Sequence, residues 1–543
     1  MSVRKLVGQF LRSSVGIGGH RAKSAAEKAP IVPAASVLQM PIFRTETVAF
    51  GNGGDGKLGH GHSDNKRADS PDAKVVFFSG ASLRSIAVGV SHSAAIVLEP
   101  LEDGTVLASG VPVESRTPAN PSTPALIGTL YGWGSNFYGQ AGFGTTDQKM
   151  GSAAFFTSDD SADLDSVEVP CKLKLLVPQG VTVDMRKVAC GDFHSAALAS
   201  DGTLWTWGAG CLGRKEELYD SNAILVDFFP ARKRRVADVC AAGIITVALA
   251  EPIPNTAADS GDREPEANAM EGTDAGSAAR EVYIWGYFED PTTSLMSTGE
   301  RIIRKSTTPL LIADALSLGR VSLVACGAAG SALAVVGQEL SGNSHEVVRV
   351  YGAFSSVAGR RSDFEMPMYP VFHEMQNMDQ IYPYGPVGIV DVHGSSVTDV
   401  VLFRDLGLIV KQDGTVEAFT APLPASSNSL GDIPAPKLPS TTISFGSGKL
   451  VEKISVNSFG MFVVFKNGGE TRYWSFAPER PATHAQDVLE GVSTDENDVR
   501  AGDVLALLAR EEQGVLVFAN GGQLVASGWN HGIAHQNLED HIQ

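Results

Sequence analysis

The chain has 543 residues, with 43 Lys and Arg against 61 Asp and Glu, which gives a formal net charge of −18 at pH 7. An acidic chain without a polybasic stripe does not favour direct binding to nucleic acid, whose phosphate backbone attracts basic surfaces. No run of 18 apolar residues predicts a membrane-spanning helix. The five cysteines include no C-x-x-C pair, and Cys190 and Cys326 share one position of a repeat. We therefore expect small, buried thiols in a reducing compartment.

Residues 1–29 differ in composition from the rest of the chain. They carry six Lys or Arg against a single acid, Glu27, and the apolar residues between Val3 and Leu11 fall near one face of a helix. This composition is typical of a mitochondrial transit peptide, and the alternative is a basic, disordered tail. We predict a transit peptide and disordered lead-in over residues 1–35. The protein is then expected in mitochondria, in the matrix or on the matrix face of the inner membrane.

A repeat runs along most of the chain, and residues 188–208 are its clearest copy. Further copies or parts of copies are residues 86–98, 239–250, 281–286, 324–336, 406–419, 460–474 and 514–528. The position of Gly191 is matched by Gly89, Ala242, Gly327, Phe403, Asn457 and Arg510. Three of the spacings are close to 50 residues, a period typical of propeller blades. The longer spacings indicate insertions near 111–128, 155–168, 251–279, 356–386 and 422–439, which are rich in Pro, Ser, Gly and acids.

Each unit is predicted to contain two strands joined by a tight turn. Small apolar runs such as residues 195–199 are typical of strands buried on both faces. The turns are Asp201-Gly202, Asp413-Gly414, Asn467-Gly468 and Asn520-Gly521, which predict two positive-φ residues in a type I′ hairpin. Gly89, Gly191 and Gly327 open their units and are expected to allow close backbone approach. Trp205 and Trp207 alternate along one strand and are expected to fill the seam between neighbouring blades.

The pattern Cys-Gly-x-x-His-Ser-x-Ala-Leu, then Asp-Gly, then Trp-Gly resembles the repeat of the regulator of chromosome condensation family. Its Gly-x-Asn-x-x-Gly-Gln-Leu-Gly loop is matched by residues 132–144, which include Trp133, and by residues 50–61. The resemblance implies an all-β fold, a seven-bladed β-propeller over residues 47–535 with a short tail at 536–543. Eight blades with one degenerate blade is the alternative. It also implies that strands from the two chain ends share a blade, with residues 48–51 beside 523–528. The residues assigned to this repeat framework are Gly89, His92, Trp133, Gly191, His194, Trp205, Trp207, Trp285 and Gly327.

Several local patterns suggest chemistry and are better explained by the repeat. Residues 51–56 match G-x-G-x-x-G, but no helix is predicted to follow, as a dinucleotide site requires. His60 and His62 lack the further ligands of a metal site. Ser195 follows His194 as Ser93 follows His92, so the pair is expected to be structural. We predict no catalytic residues, no cofactor and no metal.

The insertion at residues 363–385 is rich in methionine and aromatic residues, which are enriched in protein contacts. The candidate partner-contact residues are Phe364, Met366, Met368, Tyr369, Phe372, Met375, Tyr382 and Tyr384. The alternative is that the insertion folds back and caps its own blade.

The resemblance implies a non-enzymatic scaffold of the mitochondrial branch of the family, which supports assembly of respiratory-chain complexes or of the mitochondrial ribosome. Its expected partners are proteins of such an assembly. The alternative function is guanine-nucleotide exchange on a small GTPase, the activity of the founding member, for which no residue of this chain can be assigned.

Overall fold

A computed structural model describes residues 43–51, 53–64, 75–79, 81–101, 106–107, 126–143, 166–177, 181–215, 217–253, 280–289, 302–327, 332–339, 345–352, 371–374, 381–403, 406–420, 435–443, 449–456, 460–466, 471–475, 515–518, 522–528 and 531–539. Most of each predicted insertion and all of the predicted transit peptide lie outside these residues. Within them, no helix is long and apolar enough to cross a membrane.

The described residues form strands almost throughout. Up to residue 252 the strands are β1 (Phe43–Gly51), β2 (Leu83–Val88), β3 (His92–Pro100), β4 (Val106–Leu107), β5 (Leu126–Ser135), β6 (Ser166–Lys172), β7 (Val181–Thr182), β8 (Met185–Cys190), β9 (His194–Ala199), β10 (Leu204–Cys211), β11 (Glu217–Leu225), β12 (Arg234–Ala242) and β13 (Ile245–Pro252). The later strands are β14 (Glu281–Glu289), β15 (Ile302–Leu311), β16 (Leu318–Cys326), β17 (Leu333–Glu339), β18 (Glu346–Tyr351), β19 (Val371–Glu374), β20 (Gly388–Val392), β21 (Val397–Phe403), β22 (Leu406–Lys411), β23 (Val416–Thr420), β24 (Ser440–Ile443), β25 (Val451–Val456), β26 (Gly460–Phe465), β27 (Thr471–Ser475), β28 (Val515–Phe518), β29 (Gly522–Gly528) and β30 (His531–Glu539). One helical turn, α1 (Phe228–Ala231), and the 3-10 helices Gly54–Gly56, Val76–Phe78 and Ala313–Ser317 connect them.

The strands form repeated antiparallel sheets, which confirms the predicted all-β class. We number the sheets in the order of their first strands: sheet 1 is β2-β3-β5-β6, sheet 2 is β8-β9-β10-β11, sheet 3 is β12-β13-β14-β15 with β19 added, sheet 4 is β16-β17-β18-β20, sheet 5 is β21 to β24, sheet 6 is β25 to β28, and sheet 7 is β29-β30-β1. The first strands of consecutive sheets contact each other, from β2 and β8 through β12, β16 and β21 to β25 and β29. Sheets that stack side by side in this way are the blades of a β-propeller.

The first strands of sheets 1 to 6 lie where the repeat predicts them, whereas the first strand of sheet 7 does not. The copy at residues 514–528 was expected to be one hairpin around Asn520-Gly521, which lies outside the described residues. Instead, β28 pairs with β27 in sheet 6, whereas β29 pairs with β30 in sheet 7. In sequence, Asn520 and Gly521 therefore stand between strands of two different sheets rather than between two strands of one sheet.

The two ends of the described chain meet in sheet 7. β1 pairs antiparallel with β30, from Phe43 opposite Glu539 to Gly51 opposite His531. β30 thus lies between residues 48–51 and residues 523–528, which share the sheet but are not neighbours. The sheet also extends past the predicted bounds of 47 and 535, because the strand pairing continues where the sequence pattern of the repeat stops.

The predicted type I′ turns are wrong where the structure describes them. Gly202 and Gly414 have φ values of +88° and +89°, but Asp201 and Asp413 are not in the positive-φ region. The amide of Gly202 bonds Ala199 O, and the Asp201 carboxylate accepts the amide of Thr203 at 2.9 Å. This is a type I turn followed by a left-handed glycine, which a three-residue loop adopts more readily than type I′.

The core lies between neighbouring sheets. β9 is buried along its whole length, as its small apolar sequence predicts. One cluster joins Ile96 and Leu130 of sheet 1 to Met185, Trp205 and Trp207 of sheet 2. Both tryptophans are at most 5% exposed, so they fill the seam between these two sheets.

Candidate interaction surface

Buried histidines link each of the first sheets to the next. His92, at the start of β3, places Nε2 2.8 Å from Ser195 Oγ in sheet 2. His194, at the equivalent place in sheet 2, places Nε2 2.7 Å from Thr246 Oγ1 in sheet 3. Ser195 donates its own hydrogen to Gln140 O at 3.1 Å, so the proton of the shared bond sits on His92 Nε2.

These histidines are held in the neutral form. Burial, the largest cause, lowers the pKa of His92 to about 3 and that of His194 to about 4. A histidine with such a pKa cannot exchange protons near neutral pH. The histidines and Ser195 therefore serve as structural contacts between sheets.

The tryptophans of the repeat anchor the preceding loop. The indole N–H groups of Trp133 and Trp207 donate to Lys57 O and Gln140 O, both at 2.9 Å. The same two carbonyls accept from Ser93 and Ser195, so one backbone oxygen receives two side chains in each unit. Trp285 is equally buried, but its N–H has no partner within the described part of the chain.

The glycines that open the units lie where neighbouring backbones meet. A Cβ on Gly89 would be 2.3 Å from Gly191 O, and one on Gly191 would be 2.7 Å from Gly243 O. Gly327 is less crowded, with the Cβ atoms of Ala332 and Leu402 at 3.3 Å. The close approach expected from the sequence is therefore tightest between sheets 1, 2 and 3.

The His60 and His62 region is occupied by local contacts. The rings stack with centroids 5.7 Å apart, His60 Nε2 bonds Ala49 O, and His62 Nδ1 lies 3.4 Å from the Asp64 carboxylate. No group of three potential metal-ligating side chains is found among the residues that the structure describes. The glycine-rich loop before them holds only the three-residue 3-10 helix Gly54–Gly56.

The insertion at 363–385 reaches back to sheet 3. Phe372 lies on β19, which adds a parallel strand beside β15. Tyr382 is 3% exposed and packs against the rings of Phe288 and Tyr384 at 5.4 and 5.3 Å. Tyr384 is partly buried against the same core, which spans sheets 3 and 4. Their rings thus pack against that core, as the alternative of an insertion that folds back implies, and their role as partner contacts stays a prediction. The other candidates, Phe364, Met366, Met368, Tyr369 and Met375, lie outside the described residues.

A different set of apolar side chains is exposed at one end of sheets 1 to 3. Phe137 is 48% and Ile244 36% exposed, and Tyr138 and Phe193 are half-buried. Tyr138 stacks edge-on between Phe137 and Phe193, with centroid distances of 4.8 and 5.3 Å. The turn that carries Phe193 bonds the turn that carries Ile244, from Asp192 N to Gly243 O at 2.6 Å. We call these four residues the aromatic ridge.

The strand pairing places the ridge at one end of its sheets. Phe193 and Ile244 occupy the turns between the first and second strands of sheets 2 and 3. Phe137 and Tyr138 follow the end of β5, where Gly134 lies opposite His92 and hence beside the first turn of sheet 1. The ridge therefore crosses three consecutive sheets on the same side.

The repeat itself does not require these aromatic residues. Ser91 occupies in sheet 1 the turn position that Phe193 and Ile244 occupy in sheets 2 and 3. The loop at residues 51–59 has Gly54 and Asp55 where the loop at 134–142 has Phe137 and Tyr138. The ridge was not predicted from the sequence, although the difference between these equivalent positions of the units is the signal that could have revealed it.

Comparisons with known proteins match the first part of the chain. Models of the regulator of chromosome condensation (RCC1) repeat match residues 49–96 and 128–198, and a second model of this repeat matches residues 185–214. The ultraviolet-B receptor UVR8 of Arabidopsis thaliana is 27% identical over 168 residues, which are 31% of this chain and 26% of the receptor. The X-linked retinitis pigmentosa GTPase regulator homolog of Caenorhabditis elegans is 34% identical over 87 residues, 16% of this chain and 5% of that protein. The matches thus span about a quarter or less of these relatives.

Among solved structures, that of human WBSCR16 is similar with a TM-score of 0.47 and 14% identity, covering 91% of this chain and 99% of that chain. Prp20p of Saccharomyces cerevisiae gives a TM-score of 0.46 and 14% identity, over 92% and 93% of the two chains. The repeat matches cover residues 49–96 and 128–214, and this part of the chain is similar to the regulator of chromosome condensation repeat.

Proposed function

We propose that this chain is a non-enzymatic β-propeller scaffold that binds protein partners in mitochondria, where it supports assembly of respiratory-chain complexes or of the mitochondrial ribosome. The aromatic ridge is the observation that carries the binding role. The basic, acid-poor composition of residues 1–29 supports the mitochondrial location.

The proposed scaffold is a closed ring of seven blades. β29 of sheet 7 contacts β2 of sheet 1, in addition to the contacts between the first strands of consecutive sheets. The pairing of β1 with β30 supports the same closure, because it joins the two ends of the described chain in one sheet. A closed ring protects the edges of its end blades, which would otherwise pair with other chains.

The ridge has the composition of the centre of a protein interface. Such centres are rich in aromatic residues and poor in charged ones. Inside the ring, the histidines, serines and tryptophans of the repeat are used between sheets. The ridge side chains lie on turns, at positions where another unit has serine, glycine or aspartate, and they combine contacts with one another with exposed apolar surface. We infer that this exposed surface is retained for a partner.

The test replaces two ridge residues by serine, because Ser91 occupies the equivalent position in sheet 1. A tagged Phe193→Ser/Ile244→Ser protein is compared with the wild type by quantitative affinity purification from isolated mitochondria. We expect at least a tenfold loss of the enriched partners, which corresponds to about 1.4 kcal/mol of binding free energy. Unchanged partners in a folded double variant would overturn the ridge as the binding surface.

A matched control separates the ridge from exposed apolar surface in general. Val76 and Leu176 are 81% and 55% exposed and lie outside the ridge. The Val76→Ser/Leu176→Ser protein is expected to retain the partners. Equal loss in both double variants would show that the effect is not specific to the ridge.

Guanine-nucleotide exchange is the alternative outcome of the same experiment. Any small GTPase that co-purifies is loaded with a fluorescent guanine nucleotide, and release is measured with and without the wild-type chain. A scaffold leaves the release rate unchanged, whereas accelerated release would show that the chain is an exchange factor and not only a scaffold.

The proposed location has its own test. Finding the protein in the nucleus, or finding an intact Met1 on mitochondrial material, would contradict it.

A further inference from the structure

Two cysteines from neighbouring sheets meet with their sulfur atoms in contact. Cys240 lies on β12 in sheet 3, and Cys326 ends β16 in sheet 4. Their Sγ atoms are 2.8 Å apart, although the residues are 86 positions apart in sequence. A disulfide has an S–S length of about 2.05 Å, so a small approach of the two side chains suffices to form one.

Both thiols are half-buried rather than fully enclosed, unlike the buried Cys190 and Cys211. This differs from the expectation that Cys326 is a buried apolar residue like Cys190 at the same repeat position. Charged groups lie on β12, which carries Cys240, and on the neighbouring first strand β8. Lys187 on β8 forms an ion pair with Asp238 on β12, with Nζ to Oδ1 at 2.6 Å.

The surroundings keep the Cys326 thiol protonated at rest. Burial, followed by the neighbouring Cys240, raises the pKa of the Cys326 thiol well above its ordinary value, and Lys187 opposes this rise. A protonated thiol reacts slowly with an oxidant. Once one of the two sulfurs is oxidised, however, the second is already in place to attack it.

We propose that Cys240 and Cys326 form a reversible disulfide that links sheets 3 and 4, with hydrogen peroxide as the oxidant. In the first step one thiol loses its proton, its thiolate attacks the peroxide and the O–O bond breaks. The leaving hydroxide takes up the released proton, so a sulfenic acid and water are formed. In the second step the other thiol attacks the sulfenic sulfur, an S–S bond forms and a second water leaves. Two thiols and one peroxide thus give one disulfide and two waters, with two electrons passing from sulfur to oxygen.

The disulfide would act as a clamp between the first strands of two sheets. It closes a long loop of the unfolded chain, which is the usual way in which a cross-link stabilises a fold. In a reducing compartment a bond of this kind is transient and reports on oxidants. The expected consequence is a protein that becomes more resistant to unfolding under peroxide and returns to its first state under a reductant.

The test uses the purified full-length chain. Titration of the denatured protein should find the five thiols of the sequence before treatment, three after brief exposure to peroxide and five again after dithiothreitol. Non-reducing mass spectrometry of a protease digest should show one cross-linked pair of peptides containing Cys240 and Cys326, lighter by two hydrogens. Its thermal unfolding midpoint should be higher in the oxidised form.

Two variants make the result specific. Cys171→Ser should still lose two thiols under peroxide, whereas Cys326→Ser should form no intramolecular disulfide. Five thiols after treatment, sulfinic acid in place of the cross-link, or pairing with another cysteine would each overturn the proposal. Because the cross-linked peptide is sought in the wild-type protein, the test stands even where Cys326→Ser fails to fold.

Discussion

The Nε2 atom of His92 in sheet 1 lies 2.8 Å from the hydroxyl oxygen of Ser195 in sheet 2, and both side chains are completely buried. The Ser195 hydroxyl in turn donates to Gln140 O, so it bonds two residues that are both distant from it in sequence.

Replacing Ser195 by alanine should lower the free energy of unfolding by about 1–3 kcal/mol. The change leaves the N–H of His92 without an acceptor in the core, and an unsatisfied buried polar group carries a cost of this size. Urea denaturation followed by tryptophan fluorescence measures the loss. Ser93→Ala is the matched control, because Ser93 Oγ donates to Lys57 O and no histidine bond to it is seen in the described residues. Equal losses in the two variants would show that the histidine contact contributes nothing.

Acid should weaken the fold well above the range in which carboxylates titrate. In the unfolded chain His92 and His194 bind protons below pH 6.5, whereas in the folded chain they do so only near pH 3 and 4. The unfolded state therefore binds more protons as the pH falls through 6.5, and stability falls with it. At pH 5 each histidine should cost about 2 kcal/mol relative to pH 7.5.

Urea midpoints at pH 7.5 and pH 5 test this pH dependence. The carboxyls of Asp184 and Glu281 have lowered pKa values and lose their contribution only in stronger acid. Burial raises the pKa of Asp399, which acts in the opposite direction, so a variant without the two histidines is needed to assign the loss to them. The His92→Gln/His194→Gln protein should be less stable at pH 7.5 and should lose less on acidification. An equal loss in that variant would assign the acid sensitivity to other groups.

Replacing Trp207 by phenylalanine should cost more than the same change at Trp285. Both indoles are fully buried, but only the N–H of Trp207 has a backbone acceptor in the described residues, Gln140 O at 2.9 Å. The difference in unfolding free energy should be about 1 kcal/mol, the net value of one hydrogen bond. Trp207→Ala, which also leaves a cavity, should cost about 3–5 kcal/mol. A loss below about 1 kcal/mol for the alanine variant would contradict the packing of Trp207 between sheets.

Gly89→Ala should destabilise the protein by about 1–3 kcal/mol, the usual cost of forcing a carbon into a filled space. The new methyl group would lie 2.3 Å from Gly191 O and 2.6 Å from the His92 ring. At Gly385 the same substitution meets nothing within 4 Å, so it should be close to neutral. Thermal unfolding of the two variants side by side checks the contrast, and a neutral Gly89→Ala would show that sheets 1 and 2 do not approach so closely.

The repeat predicted the positions of most first strands because close packing between sheets requires its small apolar runs and glycines. It failed at residues 514–528, where the Asn520-Gly521 pair stands between strands of two sheets but matches the sequence of a turn within one sheet. The turn type was also missed, since Asp-Gly fits both a type I′ turn and a type I turn followed by a left-handed glycine.

The candidate surface was harder to predict than the fold. Tyr382 and Tyr384 stand in an insertion that has no place in the repeat, and the sequence does not reveal that they pack against Phe288. Phe137 and Phe193 stand inside well-matched repeat units, where an aromatic residue is easily taken for core. Only the pairing of turns from adjacent sheets shows that these side chains share one exposed end.

The pairing of β1 with β30 also constrains how the chain is made. A ribosome releases residues 43–51 long before residues 531–539 exist, so β1 has to wait unpaired while sheets 1 to 6 are synthesised. Contacts between segments so distant in sequence form slowly, because the intervening loop must close first. Folding of sheet 7 is therefore a late step, and until then β1 is an unpaired strand edge, which is prone to pair with other chains.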